Sequence, residues 1–339
     1  MKFSLFFFSN GVDTDEQYRL LMEGARFADR AGLSAVWTPE RHFHDFGAPF
    51  PNPSVTSAAI AAVTTRVAVR AGSVVLPLHD PLRVAEEWAM VDRLSGGRAG
   101  VAIASGWNPT DFVLAPDNLA RNKEVMREGI VELRRLWAGG TVERIGPDGE
   151  VRRIRTHPLP SRGELETWIT AAGSPETFAL AGESGCGVLT HVMAQSRERL
   201  EENLVVYSDA LEEAGHGIER EKVTVMMHTF LGEEHNASVE LARAPMTAYM
   251  KGSLGLFGMA GHRDEDADAL RELLDHTYER YVGDRFLIGS VDRCVPIVEA
   301  LAESGVDEIA CLIDFGLPTD EVLRGLDNLA LLNEKCAET

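Results

Sequence analysis

The sequence predicts an α/β fold, a (β/α)8 TIM barrel with an inserted helical region between its seventh and eighth strands. Strand-type apolar segments alternate with segments of helical period, and eight such strands can be counted along the chain. The length of 339 residues also suits this fold, because a barrel uses about 250 residues or more as a single domain. A doubly wound sheet is the alternative, but no GxGxxG fingerprint opens the first helix.

The elements follow one another in a regular order. Lys2–Phe8 is a short apolar run before Ser-Asn-Gly, typical of a buried first strand. Pro81 stands in the first turn of a predicted helix, where its missing N–H costs nothing. The other predicted strands are Ala35–Thr38, Val67–Leu76, Ala99–Ala104, Trp168–Ala172, Gly187–Thr190, Val223–Phe230 and Glu308–Ile313. The predicted helices are Thr14–Ala31, Val55–Val63, Pro81–Leu94, Asn118–Ala138, Pro175–Glu183, Arg197–Ala214 and Thr319–Asn333.

Two stretches exceed a minimal barrel. Residues 141–157 alternate around Pro147-Asp148-Gly149, which predicts an excursion hairpin. Residues 236–305 contain at least three helical patterns and the glycine-rich KGSLGLFGMAGH (251–262). We expect this insert to cover the mouth of the barrel, within a single domain over residues 1–339.

Composition excludes several classes of function. The net charge of −20 and the pI of about 4.9 argue against nucleic acid or an anionic membrane as the main partner. The apolar run Phe3–Phe8 is too short for a signal peptide, and no stretch approaches 18 apolar residues, so we expect a cytoplasmic location. Four widely spaced cysteines without CxxC or Cys/His spacing indicate neither a metal site nor a disulfide framework.

The loops that follow the predicted strands carry the candidate chemistry, since barrel enzymes react at that end. Gly173-Ser174-Pro175 leads a strand into a helix, so backbone N–H groups and the Ser174 hydroxyl can form a phosphate site. A plain capped helix start is the alternative. Gly72-Ser73 lies late in the third strand, where a glycine leaves room for a flat ring or belongs to a simple core strand.

Most of the chain resembles the bacterial luciferase-like monooxygenase superfamily. The matching pieces are ERHF with FG downstream (40–47), NPSVTSAAIAAVTTRVAV (52–69), VVLPLHDPLRVAEEWAMVDRLSGGR (74–98), VAIASGWNPTDF (101–112), AAGSPETFALAGESG (171–185), THVMAQS (190–196), HTFLG (228–232) and GVDEIACLIDFG (305–316). ASGWN, THVMAQS and IACLIDFG are similar to one branch, the monooxygenases associated with peptide and polyketide natural-product assembly lines.

The resemblance implies reduced flavin mononucleotide (FMN) and O2, with the flavin ring over the ends of strands three and four. Gly72 and Ser73 would flank the ring at a peptide bond that is often cis in this superfamily. A separate reductase is implied, because no nicotinamide fingerprint is present. The cofactor-binding residues implied are Gly72, Ser73, Ser105, Gly106, Asn108, Gly173, Ser174, Thr190 and Gln195.

One departure concerns WTPERHFHDFG (37–47). Luciferases carry Glu-His-His-Phe where this chain has Glu-Arg-His-Phe, so their first histidine is replaced by Arg41 and their second is His42. The reactive cysteine of luciferases corresponds to Ala104, and Ser105 replaces the arginine beside it. A luciferase-type histidine base therefore does not carry over, and light emission from a long-chain aldehyde is not expected.

Arg41, His42 and His228 are the catalytic candidates. Arg41 can stabilise the anionic reduced flavin or the oxygen being transferred, and His42 can donate a proton near neutral pH. His228, after the seventh strand, is a second proton-donor candidate. The alternative for Arg41 and His42 is an ion-pair network with Glu40 and Asp45 that only fixes the loop. We interpret His79 as a residue that orders the loop before Pro81.

The branch resemblance implies oxidation of an acyl or aminoacyl group, free or held on a carrier protein. A basic patch is the candidate docking site for a carrier, and a solvated hairpin face is the alternative. Its residues are Arg152, Arg153, Arg155 and Arg162. The superfamily also implies a homodimer. Two other functions stay open: a deazaflavin-dependent dehydrogenase or reductase, and a non-catalytic flavin-binding protein.

Overall fold

The computed structural model describes residues 1–9, 13–193, 195–256 and 267–337. The strands are β1 (Lys2–Phe6), β2 (Ala35–Thr38), β3 (Ala68–Val75), β4 (Ala99–Ala104), β5 (Val142–Ile145), β6 (Val151–Ile154), β7 (Glu166–Thr170), β8 (Gly187–His191), β9 (Val223–Leu231), β10 (Leu287–Gly289) and β11 (Glu308–Leu312). The helices are α1 (Thr14–Ala31), α2 (Pro53–Val63), α3 (Pro81–Ser95), α4 (Asn122–Trp137), α5 (Pro175–Glu183), α6 (Arg197–Glu213), α7 (His235–Leu256), α8 (Ala267–Tyr281), α9 (Val291–Glu303) and α10 (Thr319–Lys335).

Eight parallel strands close into a barrel, which confirms the predicted fold. They run in the order β1-β2-β3-β4-β7-β8-β9-β11, and β11 pairs with β1 to complete the ring. The closing register joins Phe6 to Leu312. The strands are nearly continuous apolar runs because helices cover the sheet outside and side chains fill it inside.

Local sequence determines where the first helices begin and end. Asp13, Asn52 and Asp80 precede α1, α2 and α3, and each side chain accepts backbone N–H groups of the first turn. Gly32 and Gly96 follow α1 and α3 with φ of 72° and 68°, a conformation that only glycine adopts without strain. The helices therefore stop where the chain must turn back toward the next strand.

Two predicted elements differ from the structure. The fourth helix starts at Asn122 because Pro116–Arg121 forms a tighter 3-10 turn. The insert contains a short strand as well as helices, since Leu287–Gly289 pairs with the end of β9. Of the glycine-rich stretch 251–262, residues 257–262 lie outside the described residues.

The helix α7 lies over the carboxyl ends of the strands. The ring of Tyr249 lies 4.6 Å from that of His228 and 6.4 Å from that of Phe8, centroid to centroid. His228 is near the end of β9, and Phe8 follows β1. This part of the insert therefore covers one side of the barrel mouth. Among the described residues, no helix combines the length and apolarity needed to cross a bilayer.

Candidate active site

Glu40, just after β2, connects two loops at the barrel mouth. One of its oxygens, Oε1, lies 2.8 Å from Nε2 of His42 and 2.5 Å from Nε2 of His79. The other oxygen accepts the backbone N–H of Val75 at 2.7 Å. The carboxylate is buried, with only 5% of the residue exposed. The loops after β2 and β3 are thereby held together by one buried acid.

The Glu40 cluster is electrostatically coupled. Burial raises the pKa of Glu40, but the hydrogen bonds from His42 and His79, the charge of His79 and the Val75 N–H together lower it below its ordinary value. Burial lowers the pKa of His79, yet Glu40 reverses this and leaves it raised. Part of the predicted ion-pair network therefore exists, although Asp45 is exposed and forms no ion pair with another described residue.

Arg41 turns away from this cluster. Its guanidinium carbon lies 4.5 Å from the centroid of the Phe8 ring, beside β1. The side chain is partly buried, and burial lowers the pKa of Arg41. Arg41 and His42 are adjacent in sequence, but their side chains contact different sides of the barrel mouth.

The backbone at Gly72-Ser73 packs closely against aromatic rings inside the barrel. The peptide bond between them is cis, as the resemblance implies. A Cβ at Gly72 would lie 2.5 Å from the Phe6 ring, so no larger residue fits. The Ser73 hydroxyl lies 2.6 Å from the hydroxyl of Thr170, the last residue of β7.

The loop after β4 is held by its own side chains. Gly106 has φ of 73°, and a Cβ there would lie 2.7 Å from Val75. Asn122 of α4 donates to the Gly106 carbonyl at 2.8 Å. Asn108 donates to Asp111 at 3.0 Å, and the Ser105 hydroxyl contacts the Gly106 carbonyl at 3.5 Å. These contacts fix the loop that follows β4.

A polar cradle lies where β7 and β8 end. Gly173 has φ of 117°, and Ser174 stands at the start of α5, exposed and without a side-chain cap bond. Gln195 donates to the Thr190 hydroxyl at 2.9 Å, and Asn203 donates to Gln195 and to the Gly173 carbonyl, each at 3.2 Å. The four residues predicted for phosphate binding are therefore brought together, with Asn203 behind them.

The donor set of this cradle fits the phosphate of FMN. The Ser174 hydroxyl and the Glu176 N–H lie at the amino-terminal, positive end of α5, because Pro175 has no N–H and the Thr177 N–H donates to the Ser174 carbonyl. The buried Oδ1 of Asn203 has no hydrogen-bond partner. Glu176 is the acid in this first turn, and its carboxylate is paired with Lys123 at 3.1 Å.

His228 lies in an aromatic cluster on the other side of the mouth. Its ring packs edge-on against Tyr249, Phe286 and Phe315. Burial, helped by the charge of His191, lowers the pKa of His228 to about 3, and its Nε2 atom has no partner. The imidazole is therefore neutral at pH 7, and the role of His228 as a proton donor stays a prediction.

Asp314 fixes the neighbouring end of β1. It follows β11, and its oxygens accept the N–H groups of Phe8 and Ser9 at 2.7–2.9 Å. Burial raises the pKa of Asp314 to about 7, against the lowering effect of those two N–H groups. Among the described residues, no group of three or more His, Cys, Asp or Glu is arranged to hold a metal.

Comparison of the sequence with known protein families shows which family the chain belongs to. The model of the family described as luciferase-like monooxygenase matches residues 1–308. This chain is a member of that family. It is an oxidoreductase of the flavin-dependent monooxygenase type, like relatives at moderate identity along most of its length.

Two curated relatives of the luciferase-like chain are informative. The oxygenase component of a flavin-dependent trigonelline monooxygenase from Acinetobacter baylyi is 26% identical, over 97% of this chain and 93% of that protein. The 4-hydroxyprotoasukamycin monooxygenase of Streptomyces nodosus is 25% identical, over 84% of this chain and 76% of that protein.

Two solved structures share the fold of this luciferase-like protein. The oxygenating constituent of 3,6-diketocamphane monooxygenase from Pseudomonas putida, in complex with FMN, has a TM-score of 0.81 at 20% identity and covers 100% of this chain and 98% of its own. An F420-dependent secondary alcohol dehydrogenase has a TM-score of 0.72 at 16% identity, with coverage of 98% and 97%. At these identities the likeness shows the fold alone.

Several residues of the luciferase-like site escaped sequence analysis. The sequence places Glu40 only in the alternative ion-pair network and His79 only in the order of a loop. It indicates no role for Tyr249 or Asp314. Asn203 carried a readable signal, because it is a polar residue in the buried stripe of α6 beside Leu200, Leu204 and Tyr207.

Proposed function

We propose that the chain is the oxygenase component of a two-component FMN-dependent monooxygenase. It would take flavin reduced by a separate reductase, use O2, and oxygenate an organic substrate in secondary metabolism. One juxtaposition carries the proposal: Ser73, late in β3, contacts Thr170 at 2.6 Å, and Thr170 ends the strand that leads into the cradle at Gly173-Ser174. A flat ring over the ends of β3 and β4 would bring its phosphate to the cradle after β7, the next strand in the ring.

In this proposal the cradle holds the phosphate through the Ser174 hydroxyl and the Glu176 N–H at the start of α5, while Gln195 fixes the turn by donating to Thr190 and to the His191 carbonyl. Bound reduced FMN supplies the electrons for the reduction of O2. Ser73, Ser105, Gly106 and Asn108 would line the ring, next to the fixed loop after β4. The α7 helix would keep water from the mouth, since Tyr249 packs across it.

Proton handling is assigned to the Glu40 cluster. Glu40 fixes the His42 ring through the 2.8 Å contact with its Nε2, and we assign proton exchange with a reactant to the other ring nitrogen, Nδ1. His228 stays neutral, so we propose that it offers a hydrogen bond instead of a charge. Arg41 supplies positive charge on the β1 side of the mouth.

The experiment is anaerobic photoreduction of the protein with FMN, followed by rapid mixing with O2 while absorbance is recorded. We expect a transient spectrum that matches neither reduced nor oxidised FMN and outlives the reaction of free reduced FMN. We also expect oxidised FMN to bind with a measurable dissociation constant. Absence of FMN binding would refute the proposal.

A deazaflavin-dependent dehydrogenase is the second candidate, because the barrel also matches an F420-dependent enzyme. The relatives named for flavin are more similar in sequence, which favours FMN. Titration with F420 in parallel separates the two cofactors. Tight FMN binding with reoxidation no different from free flavin, even with candidate substrates, would instead indicate a non-catalytic flavin-binding protein.

The charges on the hairpin favour a free small-molecule substrate over a substrate held on a carrier protein. Arg152 forms an ion pair with Asp148, and Arg153 forms one with Glu143 at 3.3 Å. Half of the basic patch is thus neutralised, which weakens its attraction for an acidic carrier. We therefore propose a free substrate, and binding of an acyl-carrier protein in a pull-down with purified components would contradict it.

We propose a homodimer through α2 and α3. Val55, Met90 and Leu94 are apolar and exposed on these packed helices. A second copy would cover the same patch on both chains, as two-fold symmetry requires. Met90→Glu should then shift the sedimenting species from dimer to monomer; a wild-type monomer would refute the arrangement. The cytoplasmic location and the single domain over residues 1–339 stay predictions.

A further inference from the structure

Arg41 is a partly buried cation with no carboxylate partner among the described residues. Its Nε atom is buried and has no hydrogen-bond partner. No carboxylate of the described part of the chain lies within ion-pair distance of its guanidinium. Its one close neighbour of known geometry is the Phe8 ring, at 4.5 Å.

Such a residue is unusual in this protein. The chain has 53 acidic and 33 basic residues, so carboxylates are plentiful. Arg70, also buried, pairs with Glu308 and Glu166, and Arg98 donates to the Thr64 hydroxyl and carbonyl. An arginine does not lose its proton when it is buried, so an uncompensated one is held at a cost that an incoming anion relieves.

The acids around Arg41 are committed to other partners. Glu40 accepts from His42, His79 and Val75. Asp314 accepts from the N–H groups of Phe8 and Ser9, and Asp111 accepts from Asn108. Asp111 acts on Arg41 only through its charge, and Tyr249 is a neutral phenol because burial raises its pKa. No described residue is therefore placed to serve as its counter-ion.

The phosphate of the cofactor is an unsuitable counter-ion as well. Its cradle follows β7, and β2, β3 and β4 separate β7 from β1 in the ring. Arg41 lies against Phe8 on the β1 side, where Phe8, Phe46 and Tyr249 form an aromatic wall with centroid distances of 4.9–6.4 Å. The position beside Arg41 is therefore apolar on one side and cationic on the other.

We propose that Arg41 binds the carboxylate of the substrate, whose flat apolar body packs on the Phe8 side of the mouth. This inference rests on the proposed function and adds the substrate class: free carboxylic acids with an aromatic or similarly flat group. The planar guanidinium fork matches a carboxylate with two parallel hydrogen bonds. An acyl thioester of the same acid lacks this charge and would bind poorly.

The test is calorimetric titration of the FMN-loaded protein with benzoate, benzamide and inorganic phosphate as probes. We expect benzoate to bind the wild type at least tenfold more tightly than it binds Arg41→Met, with Arg41→Lys between them. Benzamide should bind weakly to all three. Arg285→Met is the matched control, because Arg285 also lies over a ring, Tyr281 at 4.6 Å, but is paired with Asp284 at 3.5 Å.

Two results would overturn the inference. One is that benzoate binds Arg41→Met as tightly as it binds the wild type, or does not bind the wild type at all. The other is phosphate that displaces benzoate at equal concentration, which would show a site for inorganic anions. Circular dichroism of Arg41→Met must first show a folded protein; if it does not, the comparison is made with Arg41→Lys alone.

FMN titration, followed by flavin fluorescence, separates this inference from the proposed function. FMN binding without selective benzoate binding would sink the carboxylate site and leave the oxygenase proposal standing. Selective benzoate binding by the FMN-free protein, together with no affinity for FMN, would support the carboxylate site and refute the oxygenase proposal.

Discussion

Two buried arginines stand at opposite ends of the barrel, and their surroundings differ sharply. Arg70, near the start of β3, lies between the rings of Trp37 and Trp168 at 4.9 and 4.4 Å. It forms ion pairs with Glu308 at 3.0 Å and Glu166 at 3.2 Å. Arg41, beyond the end of β2, also lies over a ring but has no carboxylate partner among the described residues.

The difference between the two arginines reflects the different roles of the two ends of the barrel. The amino-terminal end compensates its own charges, and Ser4 and Trp37 complete the shell around Glu308. Both ends leave buried polar atoms without a partner, Arg70 Nε and Trp168 Nε1 at the first end and atoms of Arg41, His228 and Asn203 at the second, so the ends differ in how charges are compensated. We conclude that the first end stabilises the fold and the second end is arranged for molecules that the chain does not contain.

The largest expected effect concerns Glu308. Glu308→Gln removes the charge that faces Arg70 inside the barrel, so we expect the free energy of unfolding to fall by about 3–5 kcal/mol in urea denaturation. Glu143→Gln, which breaks the exposed pair with Arg153, should cost less than about 1 kcal/mol. Equal losses in the two variants would remove the distinction between buried and exposed pairs.

The next effect concerns pH and His228. Its pKa of about 3 lies below that of an unfolded histidine, so the unfolded state binds the extra proton and stability falls as pH drops from about 6.5 toward 3. At pH 5 this amounts to roughly 2 kcal/mol. His228→Gln should therefore lose less stability than the wild type between pH 7.5 and pH 5 in urea unfolding. Parallel losses would show that His228 does not carry the acid sensitivity.

A smaller effect should appear in the phosphate cradle. Ser174→Asp places a negative charge against the phosphate, so the FMN dissociation constant should rise about tenfold or more, equivalent to about 1.4 kcal/mol. Ser290→Asp is the control, because Ser290 also precedes a helix without a side-chain cap bond. Flavin fluorescence measures both. Unchanged affinity in Ser174→Asp would contradict the phosphate site.

The smallest expected effect sharpens the comparison of the two arginines. Arg41→Met removes an unpaired buried cation, so the free energy of unfolding should stay within about 1 kcal/mol of the wild type or exceed it. Arg70→Met leaves two carboxylates inside the barrel and should be clearly destabilising. If both variants lose equal stability in urea, Arg41 is a structural residue.

Sequence patterns predicted the barrel because each strand and helix is encoded locally by apolar period, caps and turn residues. They also located the ends of the strands, so Gly72 and Ser73 lie late in β3, and Gly173 and Ser174 lie between β7 and α5, as the pattern predicted. Contacts between residues far apart in the chain could not be predicted, because no local sequence pattern encodes them. Glu40 reaches His79, 39 residues away, and Tyr249 reaches His228 only because α7 folds back over the mouth.

The shared oxygen of Glu40 also determines which tautomer each histidine adopts. Because Glu40 is ionised at neutral pH, its Oε1 accepts from both rings, so Nε2 of His42 and Nε2 of His79 must each carry hydrogen. When either ring is neutral, its Nδ1 is therefore a bare lone pair. The chemistry of His42 toward a reactant is therefore that of Nδ1, which accepts a proton when the ring is neutral and donates one when the ring is charged.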